Sequence, residues 1–340
     1  MRTLEKALAK QMERPEFRAE YEALEPEFAN MQENIRKNKM SLIDIINAAC
    51  EYICFTDSQF EAITAAARSE TVSPDMRECL TLLERFPWLK DKYNEHGIPD
   101  QILRDTMSDL PIWMDACMKR TGQWGISPEE TGWLALHFDF KLFKLGRLQF
   151  VPAKSSVKAE AYRCLTGDVI TLSIDGIRRM GDRAVAGYPV DKRGFISREF
   201  VTLEFDKWQP ALIPGDPVLE THIAENEPLK PDAVKDSFAR APRFFKDHIG
   251  MSGFKAFTCE SWLLDWALGE MLPGSNLAAF QAMFHCVPGD GGDWQMMERV
   301  FGNPVTDWDA APQDTALRRA VRKWYLDGNC CNAAQGFILI

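Results

Sequence analysis

What this 340-residue chain lacks narrows its possibilities before any motif is read. It lacks an excess of positive charge: 50 acidic side chains against 40 basic ones leave a formal net charge of −10. Phosphate-backbone binding needs clustered Lys and Arg, so the balance argues against nucleic acid as a partner. One modest basic cluster, Arg178, Arg179, Arg183, Lys192, Arg193 and Arg198, reads as a solvated loop region. Paired CxxC elements are missing, and the nine cysteines are scattered. Both facts exclude a disulfide framework and give no metal site. Cys50 and Cys54, a helical turn apart, read as buried thiols on an apolar face. No uncharged apolar run reaches membrane-spanning length, and the first residues carry no signal-peptide core. The chain is therefore expected in a reduced cytoplasm, with no membrane partner. Internal repeats and low-complexity segments are absent too.

What is present divides into two regimes, and the length suits two domains. Up to about Phe143 the apolar residues recur at three- and four-residue spacing, as in Leu42-Ile-Asp-Ile-Ile-Asn-Ala-Ala-Cys, which predicts helices. Ser58 with Glu61 reads as a capping box, and Ser73-Pro74-Asp75 and Ser127-Pro128 open further helices. The helix from Ser73 is expected to stop near Pro87, and His137 reads as structural. From Gly146 the pattern turns strand-like, through residues 168–175, 199–205 and 217–223, with helices at 232–246, 262–271, 276–284 and 315–326. A last strand closes the chain. The expected architecture is α/β: a helical arm over residues 1–40, an all-helical domain over 41–145, and a mixed sheet flanked by helices over 146–340.

The chemistry concentrates between Val218 and Asp265. Alternation places Val218, Glu220 and His222 on one face of a strand and Leu219, Thr221 and Ile223 on the other. A carboxylate beside an imidazole suits proton abstraction from an amine or a water; a half-exposed His bonded to its neighbour is the plainer alternative. Past the strand, Pro231 suits a first helical position with Asp232 in the first turn, and such a junction presents backbone N–H groups to a phosphate. Yet residues 224–230 contain no glycine and include Glu225 and Glu227. Further on, Phe257, Cys259 and Ser261 share a face. Cys259 is a nucleophile if His222 lies across the sheet edge, and otherwise a packed thiol. Ser261 reads first as a helix cap. His285, Cys286, the acidic turn Asp290-Gly-Gly-Asp293, Tyr325 and Cys330 complete the candidates, and no metal site emerges.

Several segments together carry a resemblance: Gly146-Arg-Leu-Gln-Phe, Glu220-Thr-His-Ile-Ala, Phe257-Thr-Cys-Glu-Ser-Trp-Leu-Leu-Asp, Leu272-Pro-Gly-Ser-Asn-Leu and Asp314-Thr-Ala-Leu-Arg-Arg-Ala. Over residues 41–340 the chain resembles bacterial acyltransferase-domain proteins. These pair a helical N-acyltransferase N-terminal domain with a GNAT-like C-terminal domain. The resemblance implies a GNAT-like sheet that splays after its fourth strand and admits an acyl-coenzyme A thioester. It implies acyl transfer to an amine of a small molecule or protein. Glu220 or His222 would be the base, Ser261 or Tyr325 the proton donor to the thiolate, and Cys259 an acyl acceptor in a covalent variant. Coenzyme A would lie against Ile223, Ala224, Asn226, Leu229, Lys230 and Asp232. The glycine-rich phosphate loop of that superfamily is missing here. A degenerate module that binds acyl-CoA or a metabolite is one rival. A protein-interaction module, whose acidic N-terminal arm docks a basic partner, is another.

Overall fold

The computed structural model describes residues 40–340 apart from Asn226 and Asp290, so the N-terminal arm lies outside the described residues. The chain divides into two compact units, one ending at Leu145 and the other spanning Gly146–Ile340.

The first unit is helical: α1 (Leu42–Cys50), α2 (Asp57–Ala67), α3 (Pro74–Leu83), α4 (Phe86–Glu95), α5 (Asp100–Met107), α6 (Asp109–Thr121) and α7 (Pro128–Phe138), followed by a short strand β1 (Phe143–Leu145). The capping box of α2 is Thr56 with Gln59, two residues before the expected Ser58 and Glu61. Gln59 is fully buried and its amide also donates to the Pro111 carbonyl and to Asp115, both at 2.9 Å, so a tertiary contact decides the cap. α1 ends at Cys50, which leaves Cys54 exposed beyond a turn; the expected pair of buried thiols is not formed. Pro87 opens α4 rather than closing α3, since proline is tolerated in a first helical turn. His137 is structural as expected: fully buried, with Nε2 3.2 Å from Asp109.

The second unit is built on strands β2 (Leu148–Lys154), β10 (Pro217–Ile223), β11 (Ala256–Ser261), β12 (His285–Pro288) and β13 (Ala334–Leu339), in the order β2-β10-β11-β13-β12. Only the β10–β11 pairing is parallel among these. Helix α8 (Pro231–Phe244), continued by a π-turn over Phe245–Ile249, makes the crossover between β10 and β11. It lies on one face of the sheet, where Phe238 meets Phe257 at 4.7 Å between ring centroids. Gly146 turns the chain into β2 at φ +79°, and an added Cβ would come within 2.9 Å of the Ser237 hydroxyl. That hydroxyl accepts from the backbone N–H of Arg147 and Leu148 and donates to the Ala233 carbonyl, tying α8 to the start of β2. Three short helices, α9 (Trp266–Met271), α10 (Asn276–Gln281) and α11 (Trp294–Phe301), and the longer α12 (Ala316–Leu326) complete this unit.

Residues 155–216, between β2 and β10, form two further small sheets that the sequence did not announce as separate layers. One contains β3 (Ala159–Cys164), β4 (Val169–Ser173), β7 (Pro189–Val190) and β9 (Trp208–Leu212). The other contains β5 (Arg178–Met180), β6 (Ala184–Gly187) and β8 (Val201–Glu204). Val157, Ala159, Ala161 and Leu212 from this insertion pack with Val218, Ala256, Val287 and Phe337 of the main sheet, all buried. Burial of so much aliphatic surface on the face opposite α8 fixes the sheet between two layers. The basic cluster expected as a loop is therefore partly a strand. Arg178 sits over the Phe200 ring at 5.0 Å, and Arg179 pairs at 2.5 Å with Glu160, a buried carboxylate.

Candidate active site

The parallel ladder between β10 and β11 runs Val218↔Ala256, Leu219↔Phe257, Glu220↔Thr258 and stops there. Neither strand ends at that point. β10 stays paired with β2 as far as Ile223↔Leu148, and β11 with β13 as far as Ser261↔Ala334. The facing edges past Glu220 and Thr258 have thus parted while their outer edges remain bonded. A gap opens at the C-terminal ends of the two strands that are parallel neighbours among the described residues, where open α/β sheets place ligands.

Pairing fixes which side chains share each face of this gap. Glu220 and Thr258 are direct partners, so their side chains lie on one face, with His222 and Glu260 two residues further along. His222 Nε2 stands 3.8 Å from a Glu220 carboxylate oxygen. The Glu220 carboxyl titrates above the ordinary carboxylate range, because burial penalises its charge and Glu260 adds like-charge repulsion. Glu260 is itself held by Gln335, whose amide donates to it at 2.9 Å; the Gln335 carbonyl accepts from the backbone N–H of Lys158 at the same distance. Glu220 and His222 are candidates in the sequence, whereas Glu260 and Gln335 carry no signal there that joins them to this face. Alternation along β11 sets Glu260 opposite to Cys259, but only the β10–β11 register shows that this is the Glu220 face.

Cys259 lies on the other face, with Thr221, Phe257 and Ser261, under α8. The structure therefore does not bring Cys259 to His222. Its thiol is buried, and that burial, followed by the nearby Glu220 charge, drives its titration upward. Ser261 accepts from the backbone N–H of Leu263 at 3.1 Å and caps the single 3-10 turn Trp262–Leu264. Of its two sequence readings, cap and proton donor, the cap is the one with a bond behind it. The expected continuous helix from Trp262 is broken at Asp265, whose side chain caps α9 through the Ala267 N–H.

Beyond β10, Ile223 is half-buried, and Ala224 and Leu229 are buried. Lys230 and Asp232 are exposed, and Asn226 lies outside the described residues. Arg147, itself buried, donates to the Pro228 and Glu227 carbonyls at 3.2 and 2.5 Å, which shapes this turn. Lys230 occupies the cap position of α8 with extended backbone and no side-chain cap bond, and Pro231 follows. The cap residue's side chain thus bonds none of the first N–H groups of this 14-residue helix, the groups that at a helix start can serve an anion.

The remaining candidates are elsewhere. Tyr325 donates to Asp293 at 2.6 Å and accepts from the Cys331 N–H; burial and Asp293 raise its titration. Its hydroxyl is committed within that cluster. Cys330 is exposed, and Asp290 lies outside the described residues. His285 opens β12 and stacks on Phe337. Among the described residues no group of His, Cys, Asp or Glu is arranged to hold a metal. None of their helices is long and apolar enough to cross a membrane. Two shallow hollows of about 400 and 320 Å³ adjoin Arg163 and Leu339, by the opposite end of β11 from the gap.

A sheet with one parallel, splayed pair and a crossover helix at its mouth defines the GNAT-like class. Residues 142–338 match the GNAT-like C-terminal domain and residues 3–140 the N-acyltransferase N-terminal domain. The chain belongs to this family and is an acyltransferase by that membership. Its fold is similar to a solved structure of an acyltransferase in complex with decanoyl-CoA and teicoplanin. The two share 24% identity over 81% of this chain and 67% of that one, at a TM-score of 0.56. A second, an acyltransferase in complex with decanoyl-CoA, is 21% identical over 83% of this chain and 76% of that one, with the same TM-score. No curated protein matches the sequence.

Proposed function

We propose that the chain transfers an acyl group directly from an acyl-coenzyme A thioester to an amine of a small molecule or protein, in the cytoplasm. The observation that carries this reading is the gap past Glu220↔Thr258. It divides a carboxylate–imidazole face from the face that α8 covers. The pantetheine arm enters between the parted strands, whose unladdered backbone groups bond its amides as they would a further strand. The pyrophosphate meets the first N–H groups of α8 near Leu229, Lys230 and Asp232, where the helix end favours negative charge. Lys230 and its backbone stand in for the missing glycine-rich loop, and solved relatives of the same fold hold decanoyl-CoA or CoA. On the opposite face Glu220, with His222 beside it, takes the proton from the attacking amine.

The same geometry argues against a covalent route. A thiol whose charge is disfavoured by burial and which lies on the opposite face of the sheet from His222 is a poor nucleophile. Replacing Cys259 by Ala is expected to leave kcat within about twofold, whereas loss of a true acyl carrier costs several orders of magnitude. Rapid-quench detection of a labelled acyl-enzyme in the wild type would reverse that conclusion.

The donor itself is testable without knowing the acceptor. An acyl-CoA at a hundredfold excess over its Kd stabilises the native state by about 2.7 kcal/mol. A thermal-shift series from acetyl- to decanoyl-CoA, with free CoA as reference, is expected to raise the melting temperature and to rank the chain lengths. No shift with any thioester would refute donor binding. Binding without turnover, across a panel of amines, would instead leave a sensor module.

A further inference from the structure

Thr221 is the first residue of β10 past the end of the parallel ladder, next along the strand from Glu220 and on the opposite face. It is 2% exposed, and among the described residues its hydroxyl has no hydrogen-bond partner. A buried hydroxyl left unbonded is costly, and a catalytic role is one of the reasons a native protein keeps one. The surroundings give no reason to keep it for packing. Its cross-strand neighbour on β2 is Phe150, and Phe150 meets Phe238 and Phe257 at 6.0 and 5.7 Å between ring centroids. In that aromatic setting a valine would fit as well as a threonine. Had the ladder continued by one pair, Thr221 would face Cys259, so the hydroxyl stands at the apex of the gap.

On the reading that a thioester enters this gap, we infer that the Thr221 hydroxyl donates a hydrogen bond to the acyl carbonyl oxygen of the donor. The reactive end of the pantetheine arm is the part that reaches the apex, and a thioester oxygen is an acceptor that a hydroxyl can serve. As the amine adds to the carbonyl carbon, negative charge grows on that oxygen, and a donor already in place stabilises it without reorganisation. The tetrahedral centre then collapses: the C–S bond breaks, the electron pair leaves on sulfur, and the proton from nitrogen has gone to Glu220. Thr221 is thereby a contact to the reacting carbonyl from the α8 face, while the base works from the other.

The test compares acyl-CoA with free CoA, which has no acyl oxygen. Thr221→Val keeps the β-branched shape and removes only the hydroxyl. It is expected to lower kcat/KM for the acyl donor by roughly 10²- to 10³-fold, as loss of a single oxyanion donor does. The Kd of free CoA and the KM of the amine should stay unchanged, and the melting temperature should hold or rise. Thr221→Ser restores the hydroxyl and should recover most of the rate. Equal losses for acyl-CoA and free CoA, or an unchanged rate in Thr221→Val, would overturn the assignment. A wild-type enzyme that binds no acyl-CoA at all would instead overturn the functional reading on which it rests.

Discussion

Replacing Glu220 by Gln is expected to lower kcat by about 10²–10⁴-fold while leaving donor affinity intact, the usual cost of losing a positioned general base. The substitution keeps the size and polarity of the side chain and removes only its capacity to take a proton. His222→Ala, by contrast, removes the neighbour 3.8 Å away and leaves the base in place, so a smaller loss is expected. The pH profile separates the two roles. Burial first, and the Glu260 charge second, hold the Glu220 carboxyl above the ordinary range. The competent form is the carboxylate, so turnover rises as pH climbs through that raised value. Glu260→Gln removes the like charge and so favours ionisation of Glu220. The acid limb of the profile should then move to lower pH. A Glu220→Gln enzyme with wild-type kcat, or an acid limb that moves upward in Glu260→Gln, would remove Glu220 as the base.

The elements that frame this site were legible where local chemistry dictated them. Alternation along residues 217–223 and the Pro231 start of α8 both follow from side-chain period and proline geometry, and both hold. Gly146 as the point of change is explained by a positive φ and by the closeness of Ser237. What could not be read is whatever depends on register. The face shared by Glu220 and Glu260 rests on one Cα pairing between strands more than thirty residues apart, and Gln335 joins them from the last strand. Composition gives no sign of such pairings. The insertion at 155–216 misled in a related way. Its arginines look solvated in sequence, yet a buried Glu160 recruits Arg179, and Phe200 carries Arg178. A nucleophilic Cys259 needs His222 across the sheet edge, and the alternative in the sequence is a packed thiol. Parity separates Cys259 from His222, and parity is invisible until the ladder is known.

The second large effect concerns what holds the gap's walls. Phe337 of β13 is fully buried on the face opposite α8, among Val218, Ala256 and Val287 of the sheet and Val157, Ala159, Ala161 and Leu212 of the insertion. His285 stacks on it, with ring centroids 5.1 Å apart and planes 9° from parallel. Phe337→Ala is expected to cost about 3–5 kcal/mol, the transfer free energy of the ring plus the cavity it leaves. Against a typical total of roughly 5–15 kcal/mol this is a large fraction, and it should appear as a lower urea midpoint with little change in slope. Phe337→Leu fills most of the space and should recover most of the loss. The consequence reaches the chemistry, because β13 bonds β11 along Ala256–Ser261 and so keeps its outer edge in the sheet while its inner edge is free. Loosening β13 should therefore weaken donor binding at temperatures where the protein is still folded. A Phe337→Ala protein within about 1 kcal/mol of wild type would mean that the insertion and the sheet do not share a core. The divergence at Glu220↔Thr258 would then need another support than the packing of β13 beneath it.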